Sequence, residues 1–210
     1  MYEARRPRPT PWLCSLVLVL FAAPPAPRGG PGPRELLRAE ARAHVEREML
    51  RALVREHRRV ADDSWRDHLV EVIHREATRA GVDPLLVAAI VARESSFRSL
   101  VVSRAGAVGL MQLRPFVARD LALRTELEWR EGETLKRPES NVRLGIDYYR
   151  EMMQRFDGDP HLALAAYHRG PSRLKRELRR GSFVGSGYAR GVLELYGELD
   201  ARRRSLLGEG

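Results

Sequence analysis

The chain has 210 residues, 43% of them apolar, and a formal charge of +9, which suits one helical domain of ordinary size plus extra segments. A single cysteine, Cys14, excludes an intramolecular disulfide and a cysteine cluster for zinc. The six histidines (His44, His57, His68, His74, His161 and His168) show no HExxH spacing, so neither a metal nor another cofactor is expected.

Only Lys136 and Lys175 among the 37 basic residues are lysines, a bias that reflects base composition more than chemistry. Residues 1–30 hold four arginines against Glu3, a net +3, and leave +6 of the total for the remainder. A moderately basic domain suits nucleic acid, a membrane surface or an acidic polymer, and equally a solvated surface with no partner.

Arg5, Arg6 and Arg8 precede the apolar run Trp12–Ala23. A positive stretch followed by twelve apolar residues is too short to span a bilayer comfortably and reads as a secretory signal, with an uncleaved anchor as the second reading. From Pro33 to about Ser64, Leu36, Leu37, Ala41, Val45, Met49, Leu50, Leu53 and Val54 recur at helical spacing, predicting one long amphipathic helix. A compact domain begins near Trp65, where Leu69, Val70, Ile73 and Ala77 predict a helix stopped by Gly81. Asp83 caps the next helix and Pro84 takes its first turn, where the missing N–H costs nothing. That helix, 84–95, is apolar on all sides and is predicted to run through the core.

A short β-like stretch at 100–102 and a glycine turn at Gly106 and Gly109 follow. Then come a short helix over 115–123, a polar loop over 124–140, and a strong helix through Val142, Ile146, Tyr149, Met153 and Phe156. Asp159-Pro160 repeats the cap-plus-proline start, opening a helix that ends at Gly170. Helices over 172–180 and 188–201 complete the chain. No period-2 run of sheet length occurs, so the predicted class is all-α.

Val87, Ile90, Val91 and Glu94 share one face of the core helix by their i, i+3, i+4 spacing. Desolvation by that apolar face and the negative end of the helix dipole both favour a protonated carboxyl, the property a general acid needs. The alternative is a structural ion pair with Arg93, Arg98 or Arg104, which would lower the pKa instead. Gln112 and Ser103 have hydrogen-bonding capacity suited to a sugar. Tyr167 and Tyr188, taken alone, are more often core or rim aromatics than ligands.

Five blocks stand in order: Glu94-Ser95-x-Phe97; Ser103 with Gly106-Ala107-x-Gly109-Leu110-Met111-Gln112-Leu113-x-Pro115; Asn141-Val142-x-x-Gly145; Ala166-Tyr167-x-x-Gly170-Pro171; and Tyr188 before Val192-Leu193. Together they resemble the SLT family of soluble lytic transglycosylases over about residues 65–197. The resemblance implies a lysozyme-like all-α fold, close to goose-type lysozyme, with a small β element near the site. It also implies cleavage of the β-1,4 bond between N-acetylmuramic acid and N-acetylglucosamine in peptidoglycan, giving 1,6-anhydromuramoyl ends. Glu94 would be the single catalytic acid and base. Ser103, Gly109, Met111, Gln112, Tyr167, His168 and Tyr188 would bind or line the sugar groove.

Four positions depart from the family pattern: Ser99 stands where proline is usual, Val101 where alanine is usual, Arg114 where an apolar residue is frequent, and His168 in place of the asparagine of Ala-Tyr-Asn. A histidine there is larger and titratable, and is expected to add a limb to the pH–rate profile near neutrality. The implied organisation is a signal or anchor over 1–30, an amphipathic segment over 31–64, the SLT domain over 65–200 and a tail over 201–210. The implied protein is an exported monomer of the periplasm or cell envelope, tethered to the inner membrane where the leader is retained. Its partner is the peptidoglycan glycan strand. Two rivals remain, a hydrolytic goose-type muramidase and a non-catalytic wall-binding or scaffold module. A nucleic-acid binder is not expected, because no recognition motif is present.

Overall fold

A computed structural model describes residues 32–58 and 62–209. Eight α-helices occur among the described residues: α1 (Pro33–His57), α2 (Asp63–Ala80), α3 (Pro84–Ser95), α4 (Pro115–Arg124), α5 (Pro138–Arg155), α6 (Pro160–Arg169), α7 (Pro171–Arg179) and α8 (Gly187–Leu207), with a 3₁₀ turn at Thr134–Lys136. Proline opens α1, α3, α4, α5, α6 and α7. Its fixed φ is already helical, and its missing N–H is one that no helix start can satisfy internally. Asp83 Oδ1 accepts from the Leu85 N–H at 2.9 Å, and Asp159 Oδ1 accepts from those of His161 and Leu162. These caps fix where α3 and α6 begin.

α3 forms the central rod. Val87, Ala88, Ala89, Ile90 and Val91 are fully buried, and α1, α2 and α8 pack around them. α5 lies against α2 and α6, and α4 against α5. The expected β element reduces to two isolated antiparallel bridges, Val102 to Val108 and Val108 to Leu113. They pin the loop after α3, and no strand forms among the described residues. The fold is all-α, as the periodicity predicted.

Two boundaries differ from expectation. The helix predicted over Pro33 to Ser64 ends at His57, and α2 begins at Asp63. The residues expected as a tail instead continue α8 through Leu207. The reason is Arg203, only 4% exposed. Its Nη1 donates to Glu46 of α1 at 2.8 Å, and its Nη2 lies 2.8 Å from Asp83 at the start of α3 and pairs with Asp200. Burial raises the Glu46 pKa, but contacts with His74, Arg42 and Arg203 outweigh it and bring the value down to about 2. This cluster clamps the first and last helices onto the central one. The apolar run Trp12–Ala23, expected as a signal or anchor, lies outside the described residues. Among those described, no helix is long and apolar enough to cross a membrane.

Candidate active site

Glu94 lies in the last turn of α3. The chain then reverses through Ser96 and Phe97, both left-handed at φ 49° and 58°. Such geometry costs about 1–2 kcal/mol per non-glycine residue. Phe97 offsets it by complete burial, with its ring edge-on to His57 at 5.4 Å. The reversal delivers residues 101–113 to the end of the core helix.

That loop is held by a closed set of hydrogen bonds. The Gly109 N–H donates to the Val101 carbonyl at 2.9 Å, and the Val108 and Leu113 backbones exchange two bonds. Asn141 of α5 is 1% exposed. Its Oδ1 accepts from the Met111 N–H at 2.8 Å, while its Nδ2 donates to the carbonyls of Val108 and Leu135. A buried amide with all these groups satisfied specifies one arrangement and penalises every other. Gly109 has φ 81°, and a Cβ there would stand 2.6 Å from the Leu135 carbonyl oxygen. Glycine is required by both torsion and space.

Beside this loop lies a groove of about 830 Å³, with Glu94, Ser103, Gln112, Tyr148, Tyr167 and His168 on its wall. Burial raises the Glu94 pKa to about 7, against an opposing contribution from the nearby Tyr188 hydroxyl. That hydroxyl is itself buried and makes no hydrogen bond of good geometry. The ion pair open in the sequence does not form. Arg98 donates to the Ser95 carbonyl at 2.9 Å, Arg93 packs against Gly191, and Glu94 has no salt bridge among the described residues. Glu94 therefore holds a proton near neutrality without a cation beside it, the state required of a general acid.

The other expected site residues divide into wall and support. Ser103 lines the groove, and its Oγ accepts from the Ala107 N–H. Gln112 lines it too, but its Nε2 is committed to the carbonyls of Val101 and Gly109, so its Oε1 is the atom left to meet a ligand. The Tyr167 hydroxyl donates to the Met111 carbonyl at 2.7 Å, which makes Tyr167 a brace as well as a wall. Gly109 and Met111 are buried and do not form part of the groove wall. Met111 is fully buried and packs on Gly145, where a Cβ would come within 2.7 Å of the Met111 Cβ. Tyr188 stands behind His168, stacked on its imidazole at 4.3 Å and 11°. Burial, then the charge of Arg169, lowers the His168 pKa below 6.5. Any limb that His168 contributes is thereby expected on the acid side of the one anticipated near neutrality.

No group of three His, Cys, Asp or Glu residues suited to a metal occurs among the described residues. A separate cleft of about 650 Å³ borders α1, α3 and α8. Its glutamates, Glu56 and Glu198, are exposed, so it offers no comparable acid.

The family model for the transglycosylase SLT domain matches residues 71–185, more than half of the chain. The chain belongs to the SLT transglycosylase family. The endo-type membrane-bound lytic murein transglycosylase A of Klebsiella pneumoniae subsp. pneumoniae is 49% identical over 73 residues, covering 32% of this chain and 34% of that protein. A transglycosylase of Enterobacteria phage PRD1 is 33% identical over 115 residues, 55% of this chain and 40% of that protein. The matched region thus spans less than half the length of these relatives. The 70 kDa soluble lytic transglycosylase of Escherichia coli superposes with a TM-score of 0.56 at 24% identity, over 81% of this chain and 30% of that one. This supports the fold. An inactive glutamate-to-glutamine mutant of the lytic transglycosylase Slt from Pseudomonas aeruginosa matches with a TM-score of 0.50 and 26% identity, over 83% and 28% of the two chains.

Sequence reasoning missed two residues that shape the groove, one on its wall and one in its support. Tyr148 lines the groove with its ring 5.1 Å from that of Tyr167. The helical spacing had singled out Tyr149 for the core, and the adjacent residue, about 100° around the helix, could have been assigned to the opposite wall. Asn141 stood in a recognised block without a role. An asparagine inside an apolar helix face is the signal of a buried polar clamp.

Proposed function

We propose that this chain is a peptidoglycan lytic transglycosylase that cleaves the bond between N-acetylmuramic acid and N-acetylglucosamine without water. The observation that carries the proposal is Glu94, free of any salt bridge among the described residues and with its pKa raised by burial to about 7, at the wall of a groove large enough for sugars. The remaining carboxylates of that groove, Asp120 and Glu151, pair with arginines. Glu94 is then the one acid available there, and a single carboxyl group must serve twice.

In the proposed reaction the Glu94 carboxyl gives its proton to the glycosidic oxygen as the C1–O bond breaks. The substrate's 2-acetamido oxygen stabilises the electron-poor C1. The C6 hydroxyl of the same sugar then attacks C1 and returns its proton to Glu94, leaving a 1,6-anhydro end and the enzyme in its starting state. General acid–base catalysis of this kind contributes about 10²–10⁴-fold. A pKa near the working pH lets Glu94 release and regain the proton with little penalty either way. The free Gln112 Oε1 would accept from a sugar N–H or O–H, and Ser103 and His168 would border the same sugar. Membership of the SLT family supports the assignment, as does the inactive glutamate-to-glutamine mutant of the Pseudomonas aeruginosa enzyme.

We also infer that residues 1–30 export the chain to the cell envelope, in keeping with relatives named as membrane-bound or soluble murein transglycosylases. The catalytic unit then spans about 65–200, with α1 clamped to it. Digestion of purified peptidoglycan by the wild type and by Glu94→Gln, followed by mass spectrometry, tests the proposal. Anhydro ends from the wild type alone support it. Reducing ends favour a hydrolytic muramidase, and no fragments from either protein favour a binding module.

A further inference from the structure

His168 and Arg169, the last two residues of α6, bracket the start of α8. Arg169 Nη2 donates to the Gly185 carbonyl at 3.0 Å, its guanidinium lies 5.7 Å from the centre of the Phe183 ring, and its Nη1 is 2.9 Å from Glu177. The loop from α7 to α8, where Val184 is 96% exposed, is thereby tied to α6. The imidazole of His168 lies flat on the Tyr188 ring, with centroids 4.3 Å apart and planes 11° from parallel. Tyr188 stands in the first turn of α8, the part of a helix whose N–H groups have no partner within it. Its ring brings a hydroxyl beside Glu94. That oxygen is buried, yet it makes no hydrogen bond of good geometry among the described residues.

A buried hydroxyl left without a partner is costly, and here a partner arises during the reaction. Once Glu94 has given up its proton, its carboxylate is a strong acceptor, and a phenol already in place gains strength as that charge develops. Burial, and then the charge of Glu94, push the Tyr188 phenol above its ordinary pKa, so it remains a donor. Tyr167 and Arg93 are the other titratable or charged groups acting on that phenol, and Arg169 is the charge beside the imidazole. A donor of this kind works only where its position is fixed, since a displacement of about 1 Å can cost about 100-fold in rate. We propose that His168 is a positioning residue for the acid, whose imidazole, stacked on Tyr188, holds the phenol hydroxyl at Glu94. The inference rests on the proposed acid–base reaction and adds how the donor to its carboxylate is fixed in this chain. It also gives a role to histidine where the Ala-Tyr-Asn pattern has asparagine, because an aromatic ring covers the phenol face as a short amide does not.

The test compares His168→Ala, which removes the ring, with His168→Phe, which keeps a flat ring and loses the nitrogens. His168 is exposed, so neither substitution disturbs the core. On peptidoglycan, His168→Ala is expected to lower kcat about tenfold. His168→Phe is expected to restore kcat to within about threefold of wild type, with lost sugar contacts appearing in KM. In a Tyr188→Phe background the ring remains and the hydroxyl is gone. There His168→Ala is expected to lower kcat by less than about twofold further, because its effect passes through that hydroxyl. A second readout needs no turnover. With 3-fluorotyrosine in place of Tyr188, fluorine NMR is expected to show a pH step near the Glu94 pKa of about 7 in wild type and His168→Phe, and a much smaller step in His168→Ala. Losses in kcat that multiply in the double variant overturn the inference. So does a rise in KM alone for His168→Ala, or a fluorine step that keeps its full size without the ring. A ring-dependent fluorine step in a protein that yields no anhydro ends would sustain the placement of Tyr188 by His168 while removing the proposed reaction.

Discussion

Replacing Glu94 with glutamine should stabilise the fold, by an amount that grows with pH. The folded carboxyl has its pKa raised from 4.5 to about 7. Between those values the unfolded chain releases the proton more readily than the folded one, so this group lowers stability as pH rises and the full loss is reached above the folded pKa. Relative to a carboxyl that stays neutral, ionisation of Glu94 costs about 1 kcal/mol at pH 5, about 2 kcal/mol at pH 6 and about 3 kcal/mol at pH 7–8. Glutamine has nearly the same shape and never ionises. The fixed difference between an amide and a carboxylic acid cancels when two pH values are compared. The gain of Glu94→Gln over wild type should therefore be larger at pH 8 than at pH 5 by about 2.5 kcal/mol. In a domain of this size that is roughly 5–10 °C in Tm. Urea denaturation of both proteins at several pH values across that range supplies the test. A difference that stays flat with pH would mean that Glu94 is not desolvated in the folded state, and the assignment of its acid role would lose its physical basis.

Arg203→Met should cost about 3–5 kcal/mol in chemical denaturation, because it strands Glu46, Asp83 and Asp200 around an apolar side chain; a cost under about 1 kcal/mol would refute the clamp. Glu46, held at about 2, contributes stability that is fully present above pH 4.5 and lost as pH falls through about 2, so acid unfolding of Glu46→Gln should be less steep than that of the wild type. Gly109→Ala should cost about 2–4 kcal/mol, since the methyl group meets the Leu135 carbonyl in a left-handed turn; a neutral outcome in thermal melts would contradict the described loop. His168→Asn should alter the pH dependence of kcat/KM mainly on the acid side, because burial and then the charge of Arg169 lower the imidazole pKa. A change confined to alkaline pH would overturn that reading.

Much of the site was legible in local sequence. The apolar run 84–92 announced a core helix, and its face pattern put Glu94 against apolar neighbours; both follow from contacts within one helix. Proline and aspartate starts gave the ends of α3 and α6 for the same reason. The loop after α3 was legible as a glycine turn, but its closure through Asn141 depends on a partner 30 residues away. The misplaced C-terminal boundary has the same cause in larger form. Arg203 looks like any surface arginine in the run Arg202-Arg203-Arg204, and only its pairing with Glu46, 157 residues earlier, buries it. Tyr167 shows a subtler limit. The sequence marked it for the sugar groove, and it is there, yet its hydroxyl is committed to Met111. A motif identifies which residues matter without stating which atom remains free.

The central claim is that Glu94 serves as acid and then base while the substrate's own C6 hydroxyl replaces water. Digestion of peptidoglycan in water enriched in oxygen-18 tests it directly. The account predicts muramoyl ends one water lighter than a reducing sugar, with no label incorporated, and no fragments from Glu94→Gln. Reducing ends carrying one labelled oxygen per cleavage would contradict it.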